Sequence, residues 1–289
     1  MKKMTRILID LGDKPLTVIG PPGSGKTTIT TTLALLKHKL SNTNIIYTTQ
    51  KREDAIGSAP KPAIPWECIR NNLFLILDSY EELSTRPGIT ILTAIAHKFK
   101  TLNNYLKYLR YLSKNPRNTH ATWLLERLLI LNEIITNNKN YTINPITTII
   151  QSRDIRGVYT ATALVLYAMC QDGKNKLIIL DDVSTLPIRD EALLRILRIT
   201  RGVTNVWLVM HSLGKLSIDD MNTPVIITSH GGLSKTASRY QELLRRIKPG
   251  EALYVGNNEE IKLKLNDVTK LRNELTTNPT SDKSPGTNA

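Results

Sequence analysis

Eight residues constrain this chain more than any others. Gly20-Pro21-Pro22-Gly23-Ser24-Gly25-Lys26-Thr27 satisfies the spacing G-x-x-x-x-G-K-[ST] in full. The stretch before it, Leu16-Thr17-Val18-Ile19, is a short apolar run of strand type, and the run from Lys26 to about Leu40 reads as a helix. A glycine-rich turn between a buried strand and a helix aims backbone N–H groups and the positive end of the helix dipole at one spot, which suits a phosphate. On that reading Gly20, Pro21, Pro22, Gly23, Ser24, Gly25, Lys26, Thr27 and Thr28 form a nucleotide cradle. Lys26 reaches the β- and γ-phosphates and the Thr27 hydroxyl ligates Mg2+. ATP and Mg2+ are the expected ligands.

Further apolar runs at 45–49, 73–77, 177–180, 206–210 and 225–228 lack polar alternation, as strands covered on both faces do. Helical stretches such as 189–201 separate most of them, so the expected fold is α/β, a mostly parallel sheet flanked by helices. Between about Ser84 and Gln171 the strand pattern stops. Leu92, Ile95, Phe99, Leu102, Leu106 and Leu109 form one apolar stripe on a long helix that Pro116 ends. Two more helices are expected over 121–136 and 157–170. The organisation predicted is a core of 1–83 and 172–277, a helical insertion over 84–171, and a disordered tail over 278–289. A C-terminal hairpin pairs 252–255 with 261–265 around Gly256-Asn257-Asn258.

Charge narrows the partners. The chain carries 39 Lys+Arg against 25 Asp+Glu, a net +14 over 289 residues, which fits an acidic partner such as nucleic acid. Seven of the basic residues fall between Leu83 and Leu125, where there is no Asp or Glu. Among them Lys107, Arg110, Lys114 and Arg117 follow 3-4-3 spacing, with Tyr105, Tyr108 and Tyr111 interleaved. Such a face can neutralise phosphates and stack on unpaired bases of DNA. A solvated helix face is the competing reading. Cys68 and Cys170 lie far apart and lack metal spacing, so they are expected as reduced core residues, without a disulfide. No apolar run approaches the ~20 residues of a membrane span. The short Ile7-Leu8-Ile9 run is too brief for a secretory signal. A soluble, cytoplasmic protein is expected. There is no Ser-His-Asp pattern, metal cluster or kinase motif set.

ATP chemistry on such a loop needs an acid at the end of a neighbouring strand to hold Mg2+. Asp78, after 73–77, and Asp181, after 177–180, both qualify. Asp181 is preferred, because one helix and then a strand ending at Met210-His211 follow it. Asp182 then stands where a water-polarising group belongs, one methylene shorter than a glutamate. His211 is either a strand-end histidine bonded to backbone or a polar sensor.

With Gly20 to Thr28, Ile45 to Thr49 and Asp181-Asp182-Val183-Ser184-Thr185-Leu186, the chain resembles KaiC/RadA-like archaeal ATPases of the RecA superfamily over roughly 16–80 and 175–230. The resemblance implies a P-loop NTPase with a RecA-like sheet and an ATPase that forms rings or filaments. That family places acidic residues after the second strand, whereas this chain reads Gln50-Lys51-Arg52-Glu53-Asp54. Gln50 can orient a water but cannot take its proton, so either Asp182 is the base or hydrolysis is slow. The stretch 193–211, followed by 247–253, is similar to HerA/FtsK-like DNA translocases, and His211 stands where their sensor residue ends a strand. Arg198, Arg201, Arg245 and Arg246 are candidate arginine fingers for a neighbouring subunit, or ordinary surface residues. The catalytic candidates are thus Lys26, Asp182, Gln50 and His211. Three functions stay open: a RecA/KaiC-like ATPase acting on DNA, a HerA/FtsK-like translocase, and a nucleotide switch with little hydrolysis.

Overall fold

The computed structural model describes residues 1–136, 144–171, 175–211, 223–228, 247–256 and 259–277. Its elements run α1 (Lys2–Leu11), β1 (Leu16–Ile19), α2 (Lys26–Ser41), β2 (Asn44–Thr49), β3 (Ile64–Pro65), α3 (Trp66–Ile69), α4 (Leu73–Asp78) and α5 (Pro87–Ala94). They continue through α6 (Leu102–Ser113), α7 (Thr119–Leu131), β4 (Ile135–Thr136), β5 (Ile146–Ile150), α8 (Ile155–Cys170), β6 (Lys176–Leu180), α9 (Asp190–Thr200) and β7 (Asn205–Met210). Last come β8 (Val225–Ile227), β9 (Glu251–Val255), β10 (Glu260–Lys264) and α10 (Leu265–Thr277). Eight strands make one sheet in the order β10-β9-β8-β1-β7-β6-β2-β5. From β8 to β5 all neighbours are parallel, while β9 and β10 join antiparallel as the expected C-terminal hairpin.

Side-chain alternation along these strands builds two cores, one on each face of the sheet. Val18, Ile45, Tyr47, Ile179 and Val209 pack with Ile29 and Leu33 of α2, Ile7 of α1 and Val268 of α10. Ile46, Ile178, Leu180, Val206 and Leu208 point the other way, into the helices α3 to α9. A strand apolar at every position is what this double cover requires. Parallel order also puts the C-terminal ends of β1, β7, β6 and β2 on a single edge.

Several expectations need correction. Residues 73–77, expected as a strand, form helix α4, whose Leu73, Ile76 and Leu77 are buried in the second core. A five-residue apolar run has no period that separates strand from buried helix. The single long helix over 92–109 is two, because Thr101 caps a new start by accepting the Asn104 N–H at 3.2 Å. The helix expected over 121–136 spans Thr119–Leu131, and 135–136 pairs with 64–65 instead. The stretch 84–171 is not helical throughout: Ile146-Thr147-Thr148-Ile149-Ile150 is the edge strand β5, parallel to β2. Helix α8 falls where expected. The expected tail lies outside the described residues, and so do Asn257 and Asn258 of the hairpin turn. Among the described residues no helix is long and apolar enough to cross a membrane.

The cysteines are also corrected. Cys68 at α3 and Cys170 at the end of α8 form a disulfide across 102 residues of sequence, with Cα atoms 5.4 Å apart. Packing of α3 on α8 brings them together, which sequence spacing cannot show. The bond encloses the whole α3–α8 block. Closing a loop this long is worth about 2–4 kcal/mol. Reduction, or the double change of Cys68 and Cys170 to Ser, is expected to lower the melting temperature by about 5–15 °C. Superimposable melts with and without reductant would show that the bond contributes nothing.

A buried ion-pair node joins the same block to α9. Asp78, 2% exposed, accepts the Leu83 N–H at 3.0 Å and pairs with Arg189 at 3.1 Å and Arg195 at 2.9 Å. Removing it takes the short partner from two guanidiniums and leaves Arg189, among the carboxylates of the described residues, only the longer contacts with Glu191 at 3.8 Å and Glu82 at 4.0 Å. Asp78→Ala is expected to cost about 3 kcal/mol, read as a lower urea midpoint at unchanged slope.

Candidate nucleotide site

The loop after β1 is shaped by glycines that no other residue could replace without rearrangement. A Cβ on Gly20 would lie 2.1 Å from the Thr228 hydroxyl oxygen and 2.3 Å from the Thr228 carbonyl oxygen. Gly25, the N-cap of α2, holds φ at +85°, in the left-handed region. The Ser24 hydroxyl donates to the Pro21 carbonyl at 2.7 Å and ties the turn shut. Lys26, only 4% exposed, donates its ammonium to the Pro21 carbonyl at 2.7 Å and to His211 Nδ1 at 2.9 Å. An ammonium has no acceptor, so that contact assigns Nδ1 as the acceptor and Nε2 as the protonated nitrogen. Nε2 in turn lies 2.9 Å from Asp182 Oδ1. Burial lowers the Lys26 pKa, against the opposing charges of Asp182 and Asp181, and Lys51 adds to the lowering.

Asp181 is the acid that faces the loop. It closes β6 at 1% exposure, and its Oδ2 accepts from the Thr27 hydroxyl at 3.2 Å and from the buried Tyr47 hydroxyl. Its Oδ1 accepts the Asp182 N–H at 2.9 Å. Burial is the main influence on its pKa and raises it to about 6; the neighbouring Asp182 charge adds to this while the Tyr47 hydrogen bond opposes it. Burial likewise pushes the Tyr47 hydroxyl far above its ordinary value, so Tyr47 stays a neutral donor. A hydroxyl and a carboxylate oxygen side by side form the hard donor pair that could hold Mg2+. Asp78, the other candidate, is committed to Arg189 and Arg195 at the end of α4.

Asp182 sits in the left-handed region at φ +54°, where the chain turns out of β6. His211 ends β7, its own N–H bonded to the Ser184 hydroxyl at 2.9 Å. The His211 ring meets side chains, Lys26 on one nitrogen and Asp182 on the other, and makes no bond to backbone among the described residues. Gln50, just beyond β2, donates its amide N–H to the Thr185 hydroxyl and accepts at Oε1 from Arg153 Nε. Each end of the side chain expected to orient a water is already engaged.

These residues border a cleft of about 430 Å³, lined among others by Lys26, Thr27, Lys51, Asp54, Arg153 and Asp182. Sequence reasoning missed Tyr47, Lys51, Asp54 and Arg153. Tyr47 was in plain view inside a recognised strand. Arg153 would have required recognising β5, whose β-branched run is the signal that was there to read. Arg198 and Arg201 are exposed where α9 leads back to the start of β7, at the opposite edge of the sheet. Arg245 and Arg246 lie outside the described residues.

The basic face is elsewhere, on α6 and the turn to α7. Lys107, Arg110, Lys114 and Arg117 are all exposed. The interleaved tyrosines are mostly structural. Tyr105 is buried and donates to the Leu92 carbonyl at 2.6 Å, and Tyr108 packs on Phe99 with ring centres 5.2 Å apart. Of the three, Tyr111 is the one exposed, at 70%.

No protein-family model matches the chain, and no curated protein matches it in sequence. Solved structures do match. VirB4 of Thermoanaerobacter pseudethanolicus superposes with a TM-score of 0.62 at 14% identity, covering 86% of this chain and 88% of its own. The plasmid coupling protein TrwB, in complex with the non-hydrolysable GTP analogue GDPNP, superposes with a TM-score of 0.54 at 11% identity, covering 89% and 86%. At these identities the likeness establishes the fold, an α/β P-loop NTPase fold.

A divalent cation held by the Thr27–Asp181 pair would require the carboxylate ionised, and burial raises the Asp181 pKa to about 6. At subsaturating Mg2+, nucleotide binding is expected to weaken about tenfold per pH unit below that value. A flat profile from pH 5 to 8 would remove Asp181 from the cation site.

Proposed function

We propose that this chain is a Mg2+-dependent ATPase that self-associates and couples its nucleotide cycle to DNA. One observation carries the reading: Thr27 and Asp181 face each other at 3.2 Å beside the Lys26–His211–Asp182 chain, all at one edge of the sheet. The loop N–H groups and the N-terminus of α2 take the phosphates. Lys26 exchanges the Pro21 carbonyl and His211 for phosphate oxygens. Thr27 and Asp181 hold Mg2+, which supplies positive charge to the phosphate chain when bound.

Asp182 takes the role of base. Its carboxylate accepts the proton of the attacking water as the water oxygen bonds to the γ-phosphorus. The bond to the bridging oxygen breaks with its electron pair leaving on ADP, and the proton passes to solvent. The Nε2–H of His211 holds the Asp182 carboxylate in place.

Within this reading a HerA/FtsK-like motor is favoured over a KaiC/RadA-like one. His211 at the end of β7 reaches both Lys26 and Asp182, as a sensor in the strand after the magnesium strand must. Gln50 supports the contrast, since it stands in place of the acid the KaiC/RadA resemblance requires. The plasmid-coupling role in TrwB's name is in keeping with a DNA partner. A DNA-facing role falls to Lys107, Arg110, Lys114 and Arg117, with Tyr111 as the available stacking ring. A nucleotide switch is the second reading, favoured by the double engagement of Lys26.

Hydrolysis measured with and without single- and double-stranded DNA tests the proposal. Turnover is expected to rise with DNA and to vanish in Lys26→Ala. Asp182→Asn is expected to lose about 10²–10⁴-fold in kcat while keeping nucleotide binding. Changing Lys107, Arg110 and Lys114 to Glu is expected to abolish the stimulation alone. Turnover indifferent to DNA overturns the motor, and binding without turnover leaves the switch.

A further inference from the structure

We infer that Arg153 is the cation this subunit supplies to the terminal phosphate of its own bound nucleotide, with Gln50 as its positioning residue. The inference rests on the nucleotide site proposed above but not on turnover. Four observations lead to it.

The first is topology. β5 lies parallel to β2 at the sheet edge, and the Gln151 N–H donates to the Thr49 carbonyl at 2.9 Å. The end of β5 therefore sits level with the end of β2, and Arg153 two residues later falls on the same edge as the phosphate loop. Buried Gln151 also donates its side-chain N–H to the Asp181 carbonyl at 3.4 Å, which fastens the turn to the end of β6.

The second is the rigidity of the turn that carries it. Asp154 caps α8 by accepting the Arg156 N–H at 2.9 Å, and the Ser152 hydroxyl donates to the same carboxylate. Gly157 lies under the turn so closely that a Cβ there would meet the Ser152 carbonyl oxygen at 1.9 Å. A capped turn over a glycine holds its arginine at a set height above the cleft.

The third is the tether. Arg153 Nε donates to Gln50 Oε1, Gln50 donates to the Thr185 hydroxyl, and Thr185 donates to the Asp182 carbonyl at 2.7 Å. The chain leads from the arginine to the end of the magnesium strand. It uses Nε, and among the described residues the two terminal nitrogens of the guanidinium have no hydrogen-bond partner, which leaves them for a ligand.

The fourth is charge. Arg153 lines the 430 Å³ cleft with Lys26 and Thr27, and among the described residues no carboxylate forms an ion pair with it. Arg189 and Arg195, by contrast, are paired with Asp78. A guanidinium held by Gln50, with no carboxylate partner among the described residues, suits the charge that gathers on phosphoryl oxygens, in the same subunit.

The test uses the full chain with Arg153→Ala, Arg153→Lys, Gln50→Met and Gln50→Glu. Arg153→Ala is expected to lower kcat by about 10³-fold or more while ADP affinity stays within a few-fold. It is also expected to lose about tenfold in preference for a non-hydrolysable ATP analogue over ADP, a readout that needs no turnover. Lys should restore little, since it cannot reproduce the Nε contact with Gln50. Gln50→Met is expected to lose about 10–100-fold in kcat, and Gln50→Glu, which keeps the acceptor for Nε, to recover most of it.

Mixing Arg153→Ala chains with Lys26→Ala chains decides which subunit is served. No recovery of activity is expected, because the arginine serves the loop of its own chain. Recovery on mixing, or an Arg153→Ala variant that keeps both kcat and analogue preference, overturns the inference while the nucleotide site stands. A wild-type chain that binds no nucleotide overturns both.

Discussion

One buried carboxylate organises the molecule. Asp181 ends β6, accepts from Thr27 at the start of α2 and from Tyr47 in β2, and turns its other oxygen to the Asp182 backbone. Three elements from separate parts of the chain thus converge on two oxygen atoms. Burial without a cationic partner is costly, and the raised pKa near 6 expresses that cost. A carboxylate held this way would gain from a divalent cation, which is why Asp181 suits the Mg2+ role proposed for it.

Around that point the site is a set of mutual constraints. Lys26 is held by the Pro21 carbonyl and by His211, His211 by Asp182 and Ser184, and Gln50 by Thr185 and Arg153. The Lys26, His211 and Asp182 contacts are ones that a phosphate would displace or reorient. In the proposed reading, a nucleotide bound here would rearrange hydrogen bonds at the ends of β7, β6 and β2 together, as a sensor requires. The helical face of the sheet is braced separately. The Cys68–Cys170 bond closes α3 on α8, and Asp78 joins α4 to α9 through Arg189 and Arg195. Since Arg189 lies only a few residues past Asp182, this brace is attached close to the nucleotide edge. The exposed cations of α6 and its following turn belong to the braced block.

What was legible in the sequence was what local chemistry dictates. The phosphate loop is readable because its glycines answer to backbone geometry within eight residues: φ at Gly25 and contact at Gly20 leave no alternative. The strands 45–49, 177–180, 206–210 and 225–227 are readable because double burial demands unbroken apolar runs. Strand succession favoured Asp181 over Asp78, and in the structure Asp181 is the one that meets Thr27 of the loop. Helix α8 and the C-terminal hairpin were likewise visible in their patterns. Helix α4 was not, since a six-residue element has too few turns to show a period.

Everything that depends on which elements lie side by side was settled only by the tertiary structure. The sequence determined a glycine-rich loop between a strand and a helix, a mostly parallel α/β sheet and an acid at the end of β6. Packing decided that Cys68 meets Cys170, that Asp78 is an ion-pair node and that Tyr105 and Tyr108 are structural. It also decided that residues 146–150 close the sheet edge and so bring Arg153 to Gln50. The physical reason is range: backbone preference and periodicity act over a few residues. Contacts such as Cys68 with Cys170 or Gln50 with Arg153 span about a hundred, and only the whole chain's burial of its apolar surface selects them.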